Sequence, residues 1–270
     1  MRRTAPTAVA EAVKVTNPGG RSQFVFICDH ASNALPDGFG RLGLAQEELT
    51  RHIAWDPGAL PVARHLAAAL DAALVESRLS RLVIDCNRPL DAPDLIPALS
   101  EATVILGNEN LSPAERERRI ALSWKPFHAA VESLVEERLA AGRETWLVSV
   151  HSFTPVYNGV ARPWQIGVLH DDDTRLSGFL LAALKAEGSI VVGDNQPYSP
   201  ADRVYFTLEK HARSRGLPCV MIEIRNNEIG DEAAQARWGK LLAGTLGAIA
   251  LPPHRQGRAH AGGSRIAIHS

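Results

Sequence analysis

Short runs of apolar and β-branched residues alternate along the chain with longer segments in which apolar residues recur at helical spacing. The short runs lack the polar alternation of a half-exposed strand, so they predict strands that are buried on both faces. The predicted strands are Phe24–Cys28, Ala73–Val75, Leu82–Asp85, Trp146–Val150, Gln165–Leu169, Ile190–Val192 and Cys219–Ile224. The predicted helices are Ala45–Ile53, Pro57–Ala72, Pro113–Leu139, Thr174–Glu187, Arg203–Arg215 and Asp231–Ile249.

This alternation predicts an α/β fold with a largely parallel sheet that helices cover on both faces. We expect a single domain over residues 21–251, since no internal repeat or long linker interrupts the pattern. Residues 1–20 end in a turn signal and are expected to be loose, and residues 252–270 are expected to form a disordered tail. Pro126 is expected to break or kink the long helix near Trp124.

Composition and charge narrow the classes of partner. The chain has 270 residues, of which 45% are hydrophobic and 22% charged, so it can bury a sizeable core without disulfides. Lys and Arg total 29 against 30 for Asp and Glu, which gives a net charge of −1. This balance provides no long-range attraction to nucleic acid or to an anionic membrane. Any polar partner must therefore be held by local charges.

The cysteines and the apolar stretches bear on the compartment. Cys28, Cys86 and Cys219 cannot form a complete disulfide framework, and no CxxC spacing exists for a zinc ribbon or a thioredoxin-type site. Each lies in or beside an apolar run, as a buried free thiol in a reducing compartment would. The N-terminus lacks the apolar core of a signal peptide, and no stretch is long enough to span a membrane. These features predict a cytoplasmic protein.

Polar side chains follow the ends of five predicted strands. These groups are Asp29–Asn33, Asp85–Pro89, His151–Ser152, Gly193–Asn195 and Glu223–Asn227. In open α/β sheets ligands bind at the carboxyl ends of the strands. If the strands are parallel, all five groups reach one edge of the sheet, which favours an active site there.

The motifs of several common enzyme classes are missing from the sequence. It has no GxGxxG fingerprint, no phosphate-binding GxxxxGK[ST] loop, no GxSxG elbow and no HExxH pair. Two histidines at strand ends, with carboxylates near them, remain. Neutral imidazole and carboxylate suit zinc, and a catalytic zinc keeps three protein ligands and one position for water.

Each candidate ligand also has a purely structural interpretation. His30 and His151 are candidate metal ligands from their strand-end positions, although a histidine there can also cap a turn. Asp56 precedes Pro57 at a helix start, where an N-cap role is the simple interpretation.

The charged residues near the ends of the strands have two interpretations as well. Glu223 lies within an apolar strand, where a carboxylate is costly unless it is paired. It is therefore either a poised general base or the partner of Arg88 or Arg225. Both arginines are candidates for bidentate binding of a carboxylate, and a structural ion pair is the alternative for each.

Seven pieces of the chain, in this order, resemble the N-formylglutamate amidohydrolase family over about residues 13–250. They are Cys28–Asn33 with Pro36, then Asp56, Ile84–Pro89, His151–Phe153, Gly193–Tyr198, His211 with Gly216–Pro218, and Ile222–Asn226. That family is related in fold to zinc carboxypeptidases and aspartoacylase-like deacylases, which implies a mixed, twisted sheet flanked by helices. The resemblance implies hydrolysis of N-formyl-L-glutamate to L-glutamate and formate, a step of histidine degradation, with one zinc ion per chain.

The resemblance also implies roles for individual residues. His30 and His151 become zinc ligands, and Glu223 becomes the general base, in a segment similar to the one that carries the catalytic glutamate of zinc carboxypeptidases. Carboxypeptidases have a glutamate ligand three residues after the first histidine, where this chain has Asn33. Because a neutral amide is a poor zinc ligand, we expect Asp56 to be the third one.

The implied substrate is a small anionic N-acyl amino acid with two carboxylates, so it needs at least two cationic contacts. We expect Arg88 and Arg225 to supply them, helped by Asn87 and Asn226. Arg88 is also expected to stabilise the oxyanion of the reaction. His211 is expected to support the substrate or a metal ligand by a hydrogen bond.

Three other functions remain open from the sequence. The same chemistry can act on another N-acyl amino acid, since the sequence does not give the size of the pocket. A metal-free, non-catalytic binding protein of the same fold is a second alternative. A hydrolase with Ser32 or Cys86 as nucleophile is the third, although neither lies on a recognisable elbow.

Overall fold

The computed structural model describes residues 12–249, which form one α/β domain. The strands of this region are β1 (Val13–Thr16), β2 (Phe24–Cys28), β3 (Ala73–Ser77), β4 (Leu99–Ser100), β5 (Thr103–Val104), β6 (Trp146–Phe153), β7 (Val156–Tyr157), β8 (Val160–Ala161), β9 (Ile166–Leu169), β10 (Val192–Asp194) and β11 (Cys219–Arg225). The α-helices are α1 (Ala59–Ala69), α2 (Pro113–Arg119), α3 (Lys125–Ala140), α4 (Ser177–Ala186), α5 (Phe206–His211) and α6 (Glu232–Gly247). Within these residues no helix has both the length and the apolar character that a membrane span needs.

The main sheet has seven strands in the order β1-β3-β2-β6-β11-β9-β10. The four strands β3, β2, β6 and β11 run parallel at its centre. At one side β1 is antiparallel to β3, and at the other β9 is antiparallel to β11 and parallel to β10. The sheet is therefore mixed, with a parallel centre whose carboxyl ends share one edge.

Helices cover both faces of the sheet, as the uninterrupted apolar strands predict. Successive side chains of β2 alternate between the faces, because strand side chains repeat every two residues. Phe24, Phe26 and Cys28 pack in a cluster with α1, α4 and α6, whereas Val25 and Ile27 pack with α3 and α5. All five are almost fully buried, which explains why β2 has no polar position.

The segment Leu82–Asp85 is not a strand, and this prediction was wrong. Its apolar residues are buried in a third cluster, beside the sheet, that includes Phe39 and Trp124. The backbone turns there, since the amide of Val83 donates to the carbonyl of Ser80 over 2.9 Å. An apolar run in a buried turn looks the same as a short strand in sequence. The turn still delivers Asp85 to the edge at which β2 and β6 end.

Further segments differ from their predictions, and one of them is the strand predicted at Ile190–Val192, which lies at Val192–Asp194. Residues 13–16, within the segment expected to be loose, form the edge strand β1, whose exposed side chains gave no core pattern. The predicted helix Ala45–Ile53 contains only the 3₁₀ turn Glu48–Thr50. The expected tail at residues 252–270 lies outside the described residues.

The long predicted helix is continuous rather than broken. Between α2 and α3 the segment Ile120–Trp124 forms a π-helical turn, and Pro126 lies in the first turn of α3. Proline has no amide hydrogen to donate to the preceding turn of the helix, and the wider π turn accommodates its ring. The expected irregularity is therefore at Trp124, in the form of a π turn.

Candidate active site

Two histidines and an aspartate meet at the carboxyl edge of the parallel strands. His30 follows β2, His151 lies in β6, and Asp56 precedes α1. One ligand atom of each can be chosen so that all three lie within 4.8 Å of one another, and all three residues are buried. The structure thus brings together the three residues for which the sequence predicts metal binding.

Local backbone contacts explain how these residues meet. β2 and β6 are parallel neighbours, so the residues at their ends lie side by side. The amide of Asp56 donates to the carbonyl of His30 over 2.9 Å, and the amide of Ser152 donates to the Asp56 carboxylate over 3.3 Å. Gly58, two residues later, has a positive φ of 82° and lets the chain turn at once into α1. Asn33 instead donates to the carbonyl of Leu49, outside the cluster.

The His30 ring is held by a carboxylate on each side. Its Nε2 lies 2.8 Å from Oδ1 of Asp85, and its Nδ1 lies 3.4 Å from Oδ2 of Asp56. Asp85 is itself held by Arg81, whose guanidinium donates to it over 2.8 Å. A histidine that binds a metal usually has its other ring nitrogen on a carboxylate or carbonyl. Asp85 occupies that position, which leaves Nδ1 of His30 facing Asp56.

His151 is held in the same way. Its Nδ1 lies 2.9 Å from Oδ2 of Asp56, while its Nε2 lies 3.2 Å from Oδ2 of Asp29 and 2.8 Å from the Ser149 hydroxyl. Both imidazoles therefore direct Nδ1 toward one carboxylate and keep Nε2 on another residue. This is the arrangement that orients two nitrogen ligands toward a common point.

The buried histidines and carboxylates of the cluster shift one another's pKa values. Burial on its own would raise the pKa of Asp56, but His30 and His151 lower it well below its usual value. Burial would lower the pKa of His151, yet Asp29 and Asp56 raise it well above the ordinary value. The carboxylates therefore favour positive charge at this point, whether it is a proton or a cation.

Glu223 lies next to the cluster on β11, in register with His151 on β6. Its side chain is buried, and Oε2 has no hydrogen-bond partner within residues 12–249. Burial raises the pKa of Glu223 to about 7, and the Asp56 charge adds to this while His151 opposes it. A carboxyl group with such a pKa can both accept and donate a proton near neutral pH.

Two arginines face the same cavity, which encloses about 250 Å³. Arg88, which the sequence predicts, uses Nε on Asp94 and Nη1 on backbone carbonyls. Arg81, which sequence reasoning missed, lies closer to the cluster, with Nη1 3.7 Å from Oδ1 of Asp56. Arg81 lies four residues before Asp85, a spacing at which oppositely charged side chains pair on a helix. No helix is predicted at this segment, so the spacing did not indicate the pair.

Other predicted binding residues have different contacts in the structure. Asn87 lines the cavity, but its side-chain amide donates to the carbonyl of Val204 and its Oδ1 accepts from the amide of Thr207. Arg225 does not line this cavity; it binds Glu228 and the backbone carbonyls of residues 162 and 163.

Asn226 and His211 also lie outside the cavity lining. Asn226 begins a 3₁₀ turn and lines a neighbouring groove. His211 is buried behind the cavity, where its Nε2 lies 2.9 Å from Nδ1 of His128. Nε2 of His128 contacts the carbonyl oxygen of Cys86, the residue after Asp85. The two histidines therefore support the backbone segment that carries Asp85.

One of the five predicted polar groups is at the other edge of the sheet. β10 runs antiparallel to the central strands, so Asp194 at its end lies away from the cluster, where it contacts His170. The expectation that five strands deliver polar groups to one edge was wrong for this strand. Nothing in a short apolar run such as Ile190–Val192 indicates the direction of its strand.

The two candidate nucleophiles do not fit such a role in the described structure. Cys86 is buried, and burial raises the pKa of its thiol, which keeps it protonated. The hydroxyl of Ser32 accepts a hydrogen bond from the amide of Ala34 in its own turn, and neither residue lines the cavity.

Comparison with known proteins agrees with the resemblance in the sequence. The family model described as N-formylglutamate amidohydrolase matches residues 22–229. A gene product of Agrobacterium tumefaciens of known crystal structure is 45% identical, with a TM-score of 0.86, over 88% of this chain and 94% of that chain. The crystal structure of N-formylglutamate amidohydrolase from Ralstonia eutropha JMP134 is 21% identical, with a TM-score of 0.62, over 88% of this chain and 96% of that chain. The second likeness shows a shared fold. The chain has no match among curated protein sequences. Because the family model matches residues 22–229, more than half of the chain, the chain belongs to the N-formylglutamate amidohydrolase family.

Proposed function

We propose that the protein hydrolyses the formamide bond of N-formyl-L-glutamate and releases L-glutamate and formate. The observation that carries this proposal is the buried cluster of His30, Asp56 and His151 directly beside Glu223. Membership of the family supports the substrate, and the small cavity suits an amino-acid derivative better than a polymer.

The residues of the cluster fit a zinc ion. Two imidazole nitrogens and one carboxylate oxygen form the three-ligand set of catalytic zinc sites. Oδ1 of Asp56 is buried without a hydrogen-bond partner in the described part of the chain, so the carboxylate has unused acceptor capacity. His30, His151 and Asp56 would hold the ion, which when bound acidifies a water molecule and polarises a carbonyl oxygen.

Glu223 is placed to move the protons of the reaction. As a carboxylate it takes one proton from the attacking water, whose oxygen forms a bond to the formyl carbon. It then gives that proton to the amine nitrogen as the carbon–nitrogen bond breaks. The carbon fragment leaves as formic acid, which gives its remaining acidic proton to the released amine, so the balanced products are formate and glutamate with an ammonium group. A pKa of about 7 allows Glu223 to serve in both steps.

The two arginines that line the cavity are assigned to the negative charges of the substrate and of the reaction. Arg81 lies nearer to the cluster than Arg88, so we assign to Arg81 the stabilisation of the negative charge that develops on the formyl oxygen. The sequence suggested this role for Arg88. Arg88 keeps Nη2 free of hydrogen-bond partners in residues 12–249 and is assigned to a substrate carboxylate. Arg225 is bound elsewhere, so the second carboxylate needs another partner.

Formate release tests the proposal directly. Protein purified without a metal-affinity tag is incubated with N-formyl-L-glutamate before chelation, after chelation, and after zinc is returned. The proposal predicts formate release that chelation abolishes and zinc restores. Release of acetate from N-acetylglutamate, or of formate from other N-formyl amino acids, with no release from N-formyl-L-glutamate, would move the activity to another N-acyl amino acid. No metal and no release, even with added zinc, would favour a binding protein.

A further inference from the structure

Arg162 is a buried cation that no carboxylate in the described part of the chain neutralises. It is 8% exposed, and no Asp or Glu oxygen within residues 12–249 lies at salt-bridge distance from its guanidinium. The guanidinium carbon lies 4.6 Å from the centre of the Tyr157 ring and 4.7 Å from that of Tyr198. Aromatic faces stabilise a cation but do not neutralise it. A buried charge left in this state favours an anion nearby.

Both of these tyrosines line the cavity that contains the His30, Asp56 and His151 cluster. Tyr198 reaches it because the preceding backbone crosses closely over Gly167, where a Cβ atom would collide with the carbonyl oxygen of Gln196. Gly167 on β9 is in register with Glu223 on β11. The glycine therefore allows the segment with Tyr198 to lie against the strand beside the proposed base.

The hydrogen bond between Arg162 and Tyr198 fixes the direction of the hydroxyl proton. Nη1 of Arg162 lies 3.0 Å from the Tyr198 oxygen, and a guanidinium can only donate. The hydroxyl must therefore accept here and donate its own proton to a different group. This hydroxyl has no other hydrogen-bond partner within residues 12–249. Burial raises the pKa of Tyr198 to about 12, so the phenol keeps that proton at neutral pH.

We propose that Tyr198, oriented by Arg162, is the specificity-determining donor for the second carboxylate of the substrate, the one that Arg88 does not bind. This inference rests on the proposed hydrolysis of a dianionic N-formyl amino acid. Arg162 supplies the positive charge behind the donor, because the two arginines that line the cavity are assigned to other groups, Arg81 to the formyl oxygen and Arg88 to the first carboxylate. Tyr198 touches the carboxylate, and Arg162 acts through it as a positioning residue.

The test compares Tyr198→Phe with the wild-type protein on three substrates. They are N-formyl-L-glutamate, N-formyl-L-glutamine and 4-formamidobutyrate, so that each of the last two lacks one carboxylate. We expect the variant to raise KM for N-formyl-L-glutamate about 10-fold with kcat within about twofold, the size of one hydrogen bond to a charged group. For one of the two monoanionic substrates the variant and the wild type should then have the same KM. An equal effect on all three substrates, or an effect on kcat alone, would overturn the proposal.

Two variants of Arg162 separate positioning from a structural role. Arg162→Met should raise KM for N-formyl-L-glutamate. Arg162→Lys keeps the positive charge, so it should raise KM less. Circular dichroism and the melting temperature show whether each variant is folded. If Arg162→Met has the wild-type KM while folded, Arg162 does not act through Tyr198.

Binding of glutarate and butyrate by calorimetry keeps this inference distinct from the proposed function. The wild-type protein should bind the dianion more tightly than the monoanion, and Tyr198→Phe should reduce that preference about 10-fold. If the protein releases no formate but shows this preference, the proposed function fails and the carboxylate subsite stands. If formate release is normal but the ligand preference is unchanged in Tyr198→Phe, the subsite fails and the proposed function stands.

Discussion

Replacing Glu223 by glutamine separates catalysis from metal binding in this site. Glutamine keeps the size of the side chain but cannot take a proton from water. Glu223 is in register with His151 but is not a member of the His30, Asp56 and His151 cluster. We therefore expect Glu223→Gln to retain zinc and to lose turnover.

The size of the loss follows from the role of a general base. Proton transfer by a positioned side chain contributes about 10²–10⁴-fold, so kcat should fall by about that factor, or about 3–5 kcal/mol in the activation barrier. Stability should change little. Oε2 of Glu223 already lacks a partner in the described residues, so the substitution breaks no hydrogen bond at that atom.

Formate release and elemental analysis on the same sample measure both quantities. Glu117→Gln is the matched control, because Glu117 lies on α2 with its side chain 65% exposed. The control should keep full activity. Turnover in Glu223→Gln within a few-fold of the wild-type rate would refute the assignment of the base, and loss of zinc would show that Glu223 belongs to the metal site.

Three further predictions follow from the cluster and from the buried histidine pair. Asp56→Asn should weaken zinc binding about 10-fold or more in a chelator competition, whereas the exposed Asp37→Asn should not, and equal affinities would show that Asp56 is not a metal ligand. The N-cap of α1 is Gly58, so the alternative N-cap role of Asp56 was wrong. Removing zinc that was present at about 100 times its Kd should cost about 2.7 kcal/mol and lower the melting temperature by about 5–10 °C, and an unchanged melting temperature would contradict a folded-state metal site. Burial lowers the pKa of His128 and of His211 to about 3, so between pH 6.5 and 3 the unfolded chain binds protons that the folded chain does not. Urea unfolding should therefore show stability falling as pH drops below 6.5, by about 2 kcal/mol per histidine at pH 5, with a shallower fall in His128→Gln.

The parallel centre of the fold could be predicted from sequence because its strands are buried on both faces. β2 and β11 are buried along almost their whole length, so each forms a nearly continuous apolar run in the sequence. Their predicted bounds agree with the structure to within one residue. The segment Leu82–Asp85 has the same apolar character but packs in a turn, and sequence alone does not distinguish the two. The strand at residues 13–16 was missed for the opposite reason, since its side chains are mostly exposed.

The direction of β9 and β10 was not predictable from local sequence. Both are short runs, and only the pairing of β9 with β11 and of β10 with β9 shows that they run the other way. This reversal removed Asp194 from the active edge. It also placed Gly167 opposite Glu223, which is how the segment that carries Tyr198 reaches the cavity.

Within the site, the sequence located residues that lie at the ends of strands better than those that act through side-chain packing. His30, His151 and Glu223 lie in or directly after central strands, so the fold class alone brings them together. Arg225 occupies an equally prominent position, but its side chain turns away to bind Glu228. Arg81 had no such marker, because it precedes Asp85 in a turn rather than on a strand.

The central claim is that His30, Asp56 and His151 hold one catalytic metal ion. An anomalous difference map from crystals of the zinc-loaded protein, recorded at the zinc absorption edge, tests this most directly. We predict one peak per chain, bonded to Nδ1 of both histidines and to the Asp56 carboxylate, with Nε2 of each ring still held by its present partner. A peak at another site, or no peak in protein that releases formate at full rate, would contradict the account.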